Sequence, residues 1–224
     1  MNLPLLALFV IVQFLKEITF LMSTPIYHFT HINNFQNLLS LGSILCKNKM
    51  LEQSIPCTSS AFESVQSYRE GCNVPASRGG TIHDYVPFYF NSLSPMLYTI
   101  SCGNIDNIRM TDLVFIKSSA ETVEASNDDF AFTDGHAIMD LSDYYDSLGD
   151  LDALPWDVIN ARYWNDFEDG RRLRQSEFLV YDSFNLNLIE KIGVYDRGMK
   201  IQVEKIISDL HLNHVVEVKR NWYF

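Results

Sequence analysis

The sequence predicts an α+β fold built on a mostly antiparallel sheet, and three observations carry that reading. Short runs rich in β-branched and aromatic residues recur along the chain between turn residues. Regular helices do not separate these runs, as the βαβ units of a parallel sheet would demand. The 224 residues, 47% hydrophobic and 20% charged, can bury a core without a disulfide or metal staple. One domain is expected.

The elements follow in chain order. Residues 1–22 read as an apolar extension: Met1 to Leu15 is almost entirely apolar, but Lys16 and Glu17 interrupt it short of the ~20 apolar residues a membrane span needs. No basic n-region or small-residue cleavage site marks a signal peptide. The extension is expected to be dispensable, with Met22-Ser23-Thr24-Pro25 as a natural start, residues 23–224 as the folded domain and no stable membrane association. Asn33 as N-cap, Phe35, Leu38, Leu39 and Leu41 at helical spacing and Gly42 beyond predict a short amphipathic helix. Ala61 to Glu70 is a weaker helix carrying Arg69, and Gly71 to Gly80 is a loop. Strands are expected at Val86–Phe90, Leu113–Lys117, Phe130–Phe132, Glu177–Tyr181, Leu188–Val194 and Val215–Val218. Helices are expected at Pro155–Trp164, with Pro in the first turn, and at Met199–Leu210.

Charge and cysteine usage narrow the function. A net charge of −11 argues against a protein that coats nucleic acid through many phosphate contacts. Between Lys117 and Arg162 lie eleven acids and no Lys or Arg, whereas Arg162, Arg171, Arg172 and Arg174 cluster just after. Any DNA strand would bind locally. Cys46, Cys57, Cys72 and Cys102 form no metal-ligand spacing and read as reduced thiols, which favours a cytoplasmic protein with no metal. Neither GxGxxG nor GxxxxGK[ST] is present.

Three histidine clusters stand out: Tyr27-His28-Phe29-Thr30-His31, Thr81-Ile82-His83-Asp84-Tyr85 and Thr133-Asp134-Gly135-His136. Taken singly, each histidine is more often a hydrogen-bonded core residue than a catalyst. The segment from Arg171 to Val180 leads a basic loop into an apolar strand with Glu177 at the junction. On pattern alone, a surface salt bridge from Glu177 to a neighbouring arginine is favoured over catalysis. Truncating a carboxylate at such a strand edge would cost little stability.

In this order the pieces resemble the DarT family of DNA ADP-ribosyltransferase toxins. The carrying segments are Ile26-Tyr27-His28-Phe29-Thr30-His31-Ile32-Asn33-Asn34; His83-Asp84-Tyr85-Val86-Pro87-Phe88-Tyr89-Phe90-Asn91 with Ser94-Pro95-Met96-Leu97-Tyr98; Thr133-Asp134-Gly135-His136-Ala137; Arg174-Gln175-Ser176-Glu177-Phe178-Leu179-Val180; and Asn221-Trp222-Tyr223-Phe224. Ser176 departs from the alanine expected there.

The resemblance implies the fold of the poly- and mono-ADP-ribosyltransferases and a reaction that moves ADP-ribose from NAD to a base of single-stranded DNA, with thymidine the base expected. It implies Glu177, Arg69 and His136 as catalytic residues, with Arg78 the other arginine that could take Arg69's place. His28, Phe29, Thr30, Asn37, Leu45 and Arg69 would hold NAD. Ser94, Pro95, Met96, Leu97, Tyr98, Arg162, Arg171, Arg172, Arg174 and Gln175 would meet the DNA. A macrodomain antitoxin of the DarG type is the implied partner. Two rival readings are the same fold acting on a protein or RNA acceptor, and a non-catalytic nucleic-acid-binding module.

Overall fold

A computed structural model describes residues 23–58 and 63–224. The apolar extension and the start of the Ala61 helix lie outside the described residues.

Ten strands and eight α-helices, joined by loops and 3₁₀ segments, make up the described chain. The strands are β1 (Pro25–His31), β2 (Ser43–Leu45), β3 (Tyr85–Tyr89), β4 (Leu113–Ser119), β5 (Phe130–His136), β6 (Tyr144–Tyr145), β7 (Ser176–Tyr181), β8 (Ser183–Asn185), β9 (Lys191–Val194) and β10 (Val216–Val218). The helices are α1 (Ile32–Leu41), α2 (Lys47–Glu52), α3 (Glu63–Gly71), α4 (Pro95–Ser101), α5 (Ala120–Ala125), α6 (Trp156–Asn160), α7 (Gly170–Leu173) and α8 (Arg197–Asp209). Eight strands form one sheet in the order β10-β9-β4-β1-β3-β7-β5-β6, and β2 pairs with β8 apart from it. All pairs but β9 with β10 are antiparallel, as the spacing of the strands predicts.

The sheet comes apart at its centre. β1 pairs with β4 over all seven of its residues and β3 pairs with β7 over all five, yet β1 meets β3 only at Tyr27 and Tyr89. Pro87 gives the reason. The backbone N and C=O of a residue in an antiparallel strand face the same neighbour, and the Pro87 carbonyl faces β1, where it accepts from His28 Nδ1 at 2.8 Å. Proline has no N–H to offer on that side, so the ladder stops and a cleft opens.

Several expectations shift. β1 was not among the strands expected, because a central strand reading Pro-Ile-Tyr-His-Phe-Thr-His lacks the continuous apolar run of a buried strand. The N-cap of α1 is His31, whose Nδ1 accepts from Asn33 N–H at 3.1 Å, rather than Asn33; Gly42 closes the helix at φ 72°. The expected helix Pro155–Trp164 is only the short α6 followed by a 3₁₀ turn at Trp164–Asp166. The Arg174 guanidinium caps α6 by taking the carbonyls of Val158, Ile159 and Ala161. The expected strand Leu188–Val194 begins only at Lys191, after a 3₁₀ turn at Leu186–Leu188.

One face of the sheet packs Phe88, Val114, Ile116, Phe178, Val180 and Ile192 against α1 and α8 through Phe35, Leu38 and Val203. The other face buries Phe29, Leu97, Phe115, Trp222 and Tyr223. All four cysteines are free thiols.

Candidate active site

Two clefts open where β1 leaves β3. The larger, about 520 Å³, takes Tyr27 and His28 from β1, Tyr89 from β3, Arg69 from α3, Pro95, Met96 and Thr99 from α4, Arg171 and Arg172 from α7, then His136, Gln175 and Glu177. The smaller, about 190 Å³, is walled by α1, β2, α2 and the chain from Ile55 to Thr58, with His83 and Tyr85 on the far side. His28, Phe29, Gln66, Arg69 and Pro87 line both and form the partition.

Glu177 sits at the start of β7, directly opposite Tyr89 of β3, and is 1% exposed. Its two oxygens accept from the two terminal nitrogens of Arg69, Nη1 to Oε1 at 3.1 Å and Nη2 to Oε2 at 2.9 Å. The Ala137 N–H donates to Oε1 at 3.3 Å, and His136 Nε2 lies 3.9 Å from the same oxygen. A bulge places these groups: between Phe132 and His136 the register of β5 slips against β7, and His136 and Ala137 just beyond it reach the carboxylate. Thr133 Oγ1 holds the bulge, accepting from Glu177 N–H at 3.1 Å and donating to Gly135 O at 2.6 Å.

The electrostatics follow from burial and pairing. Burial pushes the Glu177 carboxyl up, but the charge and hydrogen bonds of Arg69, with His136 and the Ala137 N–H, outweigh it and hold the group below the ordinary glutamate range. Burial lowers His136, against the pull of Glu177 and with the push of Arg69 and Arg171. Burial also lowers His28, against its bond to the Pro87 carbonyl. Both imidazoles are therefore neutral at physiological pH. A carbonyl can only accept, so the His28 proton is on Nδ1 and its Nε2 keeps a lone pair.

The structure sorts the residues singled out in the sequence. His28, Phe29, Thr30, Asn37, Leu45 and Arg69 all line the smaller cleft. Pro95, Met96, Arg171, Arg172 and Gln175 line the larger one with Glu177 and His136. Arg69, not Arg78, stands beside Glu177; Arg78 is exposed and pairs with Asp129 at 2.7 Å.

Five residues expected at the DNA do not line the cleft. Arg174 is 3% exposed and gives its guanidinium to the carbonyls of Leu93, Val158, Ile159 and Ala161, so it is structural rather than a fork for phosphate. Ser94 is buried as the N-cap of α4, and Leu97 is buried in the core. Tyr98 and Arg162 are exposed outside the cleft, Tyr98 against Trp164 and Phe224 and Arg162 over the ring of Tyr163. Arg172 lines the cleft but is committed, to Asp169 and to the Leu141 carbonyl and Ser142 hydroxyl at 3.2 and 3.0 Å.

The sequence reading missed Tyr27, Gln66, Tyr89, Thr99 and Met139 as cleft residues and Thr133 as the prop of the bulge. For Tyr89 a signal existed: two residues after Pro87 it shares that residue's face of β3. Glu177 is not at a strand edge as its sequence position suggests, since β7 is flanked on both sides by β3 and β5. Ser176 fits because its hydroxyl donates to the Leu173 carbonyl at 2.8 Å.

Comparison with known proteins places this geometry. The family profile described as ssDNA thymidine ADP-ribosyltransferase, DarT, matches residues 27–224. A DNA ADP-ribosyl transferase of Thermus sp. (strain 2.9) is 38% identical over 205 residues, covering 90% of this chain and 96% of the relative. The solved structure of Thermus sp. 2.9 DarT in complex with ADP-ribosylated ssDNA superposes with a TM-score of 0.85 at 37% identity, over 90% of this chain and 97% of that one. The same protein in complex with NAD+ superposes with a TM-score of 0.79 at 34% identity, over 91% and 98%. On the match across residues 27–224 and the near end-to-end likeness to such a relative, the chain belongs to the DarT family of ssDNA thymidine ADP-ribosyltransferases.

Proposed function

We propose that this protein transfers the ADP-ribosyl group of NAD to a thymidine base in single-stranded DNA, with Glu177 as its catalytic carboxylate. The observation that carries the proposal is the buried Arg69–Glu177 pair, with Arg69 in the partition between the two clefts and Glu177 beside it in the cleft open to a strand.

The residues of the smaller cleft fit NAD. Apolar walls at Leu38, Ile44, Leu45 and Ile82 suit its flat rings, and Asn37, Lys47 and His83 offer polar groups to its hydroxyls and phosphates. NAD supplies an ADP-ribosyl group on a nicotinamide leaving group. Breaking that C–N bond builds positive charge on the ribose, and the ionised Glu177 carboxylate is fixed where it can stabilise it. Nicotinamide departs with the bonding electrons, a base nitrogen forms the new bond from the larger cleft, and its proton is lost. Arg69 keeps its charge beside Glu177 and so orients the carboxylate or polarises the acceptor rather than acting as a base. Neutral His136 borders the carboxylate on the acceptor side.

Arg171 and Gln175 flank the larger cleft with Met96, so a strand is held by a few local contacts and by stacking, which reconciles DNA with a net charge of −11. Such a mark on a cell's own DNA requires an enzyme that removes it, and a macrodomain antitoxin of the DarG type is the partner proposed. Incubation with labelled NAD and separate pools of single-stranded DNA, duplex DNA, RNA and protein tests the reading. Label is expected in thymidine-containing single strands; label in RNA or protein alone would overturn it.

A further inference from the structure

His83 is out of keeping with the rest of the interior. It is 6% exposed, yet neither ring nitrogen has a hydrogen-bond partner among the described residues. Buried polar groups are nearly always paired, because an unpaired one costs stability. His83 is among the residues that line the smaller cleft, and so is Arg69.

The turn that carries His83, Ile82–Asp84, is held on every other side. Ile82 is buried in the core. Asp84 accepts from the Thr81 N–H at 2.7 Å and from Asn48 at 2.6 Å, and its own carbonyl accepts from Asp182 N–H at 2.8 Å. A turn pinned by its neighbours, with an unpaired imidazole in a residue that lines a cavity, leaves hydrogen-bonding capacity for a ligand to take up.

We propose that His83 is an NAD-binding residue, its imidazole hydrogen-bonding a polar group of the dinucleotide in the smaller cleft beside Arg69. The proposal rests on the reading of that cleft as the NAD site. Burial and the charge of Arg69 lower His83, so the ring is neutral and offers one donor and one acceptor. Its job is hydrogen bonding rather than charge neutralisation, which leaves the phosphates to Lys47.

The test compares the unsubstituted protein with His83→Phe and His83→Gln, using calorimetry with NAD in the absence of DNA and thermal unfolding with and without NAD. His83→Phe is expected to bind NAD about tenfold more weakly, the loss of one good hydrogen bond, with affinity for a thymidine oligonucleotide unchanged. Without NAD its Tm should hold or rise, since phenylalanine buries no polar atom there. His83→Gln, which keeps a donor and an acceptor, should fall between. Unchanged NAD affinity in His83→Phe, or a lower Tm with unchanged affinity, would make His83 a structural residue and overturn the proposal. Should His83→Phe fail to fold, ring ¹⁵N resonances of the unsubstituted protein, assigned with His83→Gln, decide: NAD must shift those of His83. Failure of the unsubstituted protein to bind NAD would sink the reading of the cleft itself.

Discussion

Arg69 and Glu177 face each other as a two-pronged fork, with Nη1 against Oε1 and Nη2 against Oε2 at 3.1 and 2.9 Å, and both side chains are almost wholly buried. Removing one partner leaves the other charge buried alone, at a cost of about 3–5 kcal/mol. Glu177→Ala should therefore abolish transfer and also lower stability, contrary to what a strand-edge carboxylate would show. Arg69→Ala should do the same, and the double variant should be less destabilised than the sum of the two. A double-mutant cycle by urea unfolding measures this coupling; additive losses would mean that the fork does not hold in solution.

The pH dependence of stability follows from the same pair. The Glu177 carboxyl lies below its unfolded value, so its contribution is fully present above the ordinary glutamate range and is lost as the pH falls through the depressed value. In Arg69→Met, burial acts on Glu177 without the compensating charge, so its pKa rises, and the penalty grows from the ordinary glutamate value upward and is complete above the raised one. The stability gap between the two proteins should narrow toward acid. Unfolding free energies measured from about pH 8 down to about pH 4 check the sign.

Arg171 and Arg174 should separate cleanly. Arg171 is exposed at the larger cleft, and its replacement by alanine should lower the slope of log affinity for single-stranded DNA against log salt by about 0.7. Arg174 serves four carbonyls, and burial pushes its guanidinium down to about 10, which still leaves it charged at neutral pH. Arg174→Met should leave the salt slope alone and lower the Tm, because each stranded carbonyl costs on the order of 1–3 kcal/mol. Salt titrations with a thymidine oligonucleotide, paired with thermal melts, give both readouts.

Gly170 lies against the backbone of the Trp164 turn, where an added Cβ would run into the Trp164 carbonyl. Backbone cannot swing aside as a side chain can. Gly170→Ala should cost about 1–3 kcal/mol and displace α7, lowering DNA affinity through Arg171 while NAD affinity holds. Chemical denaturation and separate titrations of the two substrates would show it; a loss confined to NAD would contradict the division of the clefts.

The fold class, six of the strands and the helices at Phe35–Leu41 and Met199–Leu210 were legible because apolar periodicity marks elements whose one face is buried. β1 was not, since its residues spend their alternation on the site: Tyr27, His28 and Phe29 line the larger cleft. Glu177 and His28 were singled out through ordered motifs rather than through periodicity, and Arg69 through its place ahead of a glycine-rich loop. Arg174 was misplaced for a physical reason. In sequence it belongs to a run of arginines, and nothing local tells a solvent-facing guanidinium from one that closes the end of α6 some fifteen residues earlier. Long-range polar satisfaction of this kind is invisible until the chain is folded.

The partition at the split between β1 and β3 sets the form of the rate law. His28, Phe29, Gln66, Arg69 and Pro87 belong to both clefts, so the clefts share a border where donor and acceptor can meet directly, and the transferred group needs no covalent stopover on the protein. Velocities plotted reciprocally against one substrate at fixed levels of the other should then converge rather than run parallel. A change in the partition should disturb the Michaelis constants of both substrates at once, so retargeting to a different base has to be sought in the outer rim, at Met96, Thr99 and Gln175.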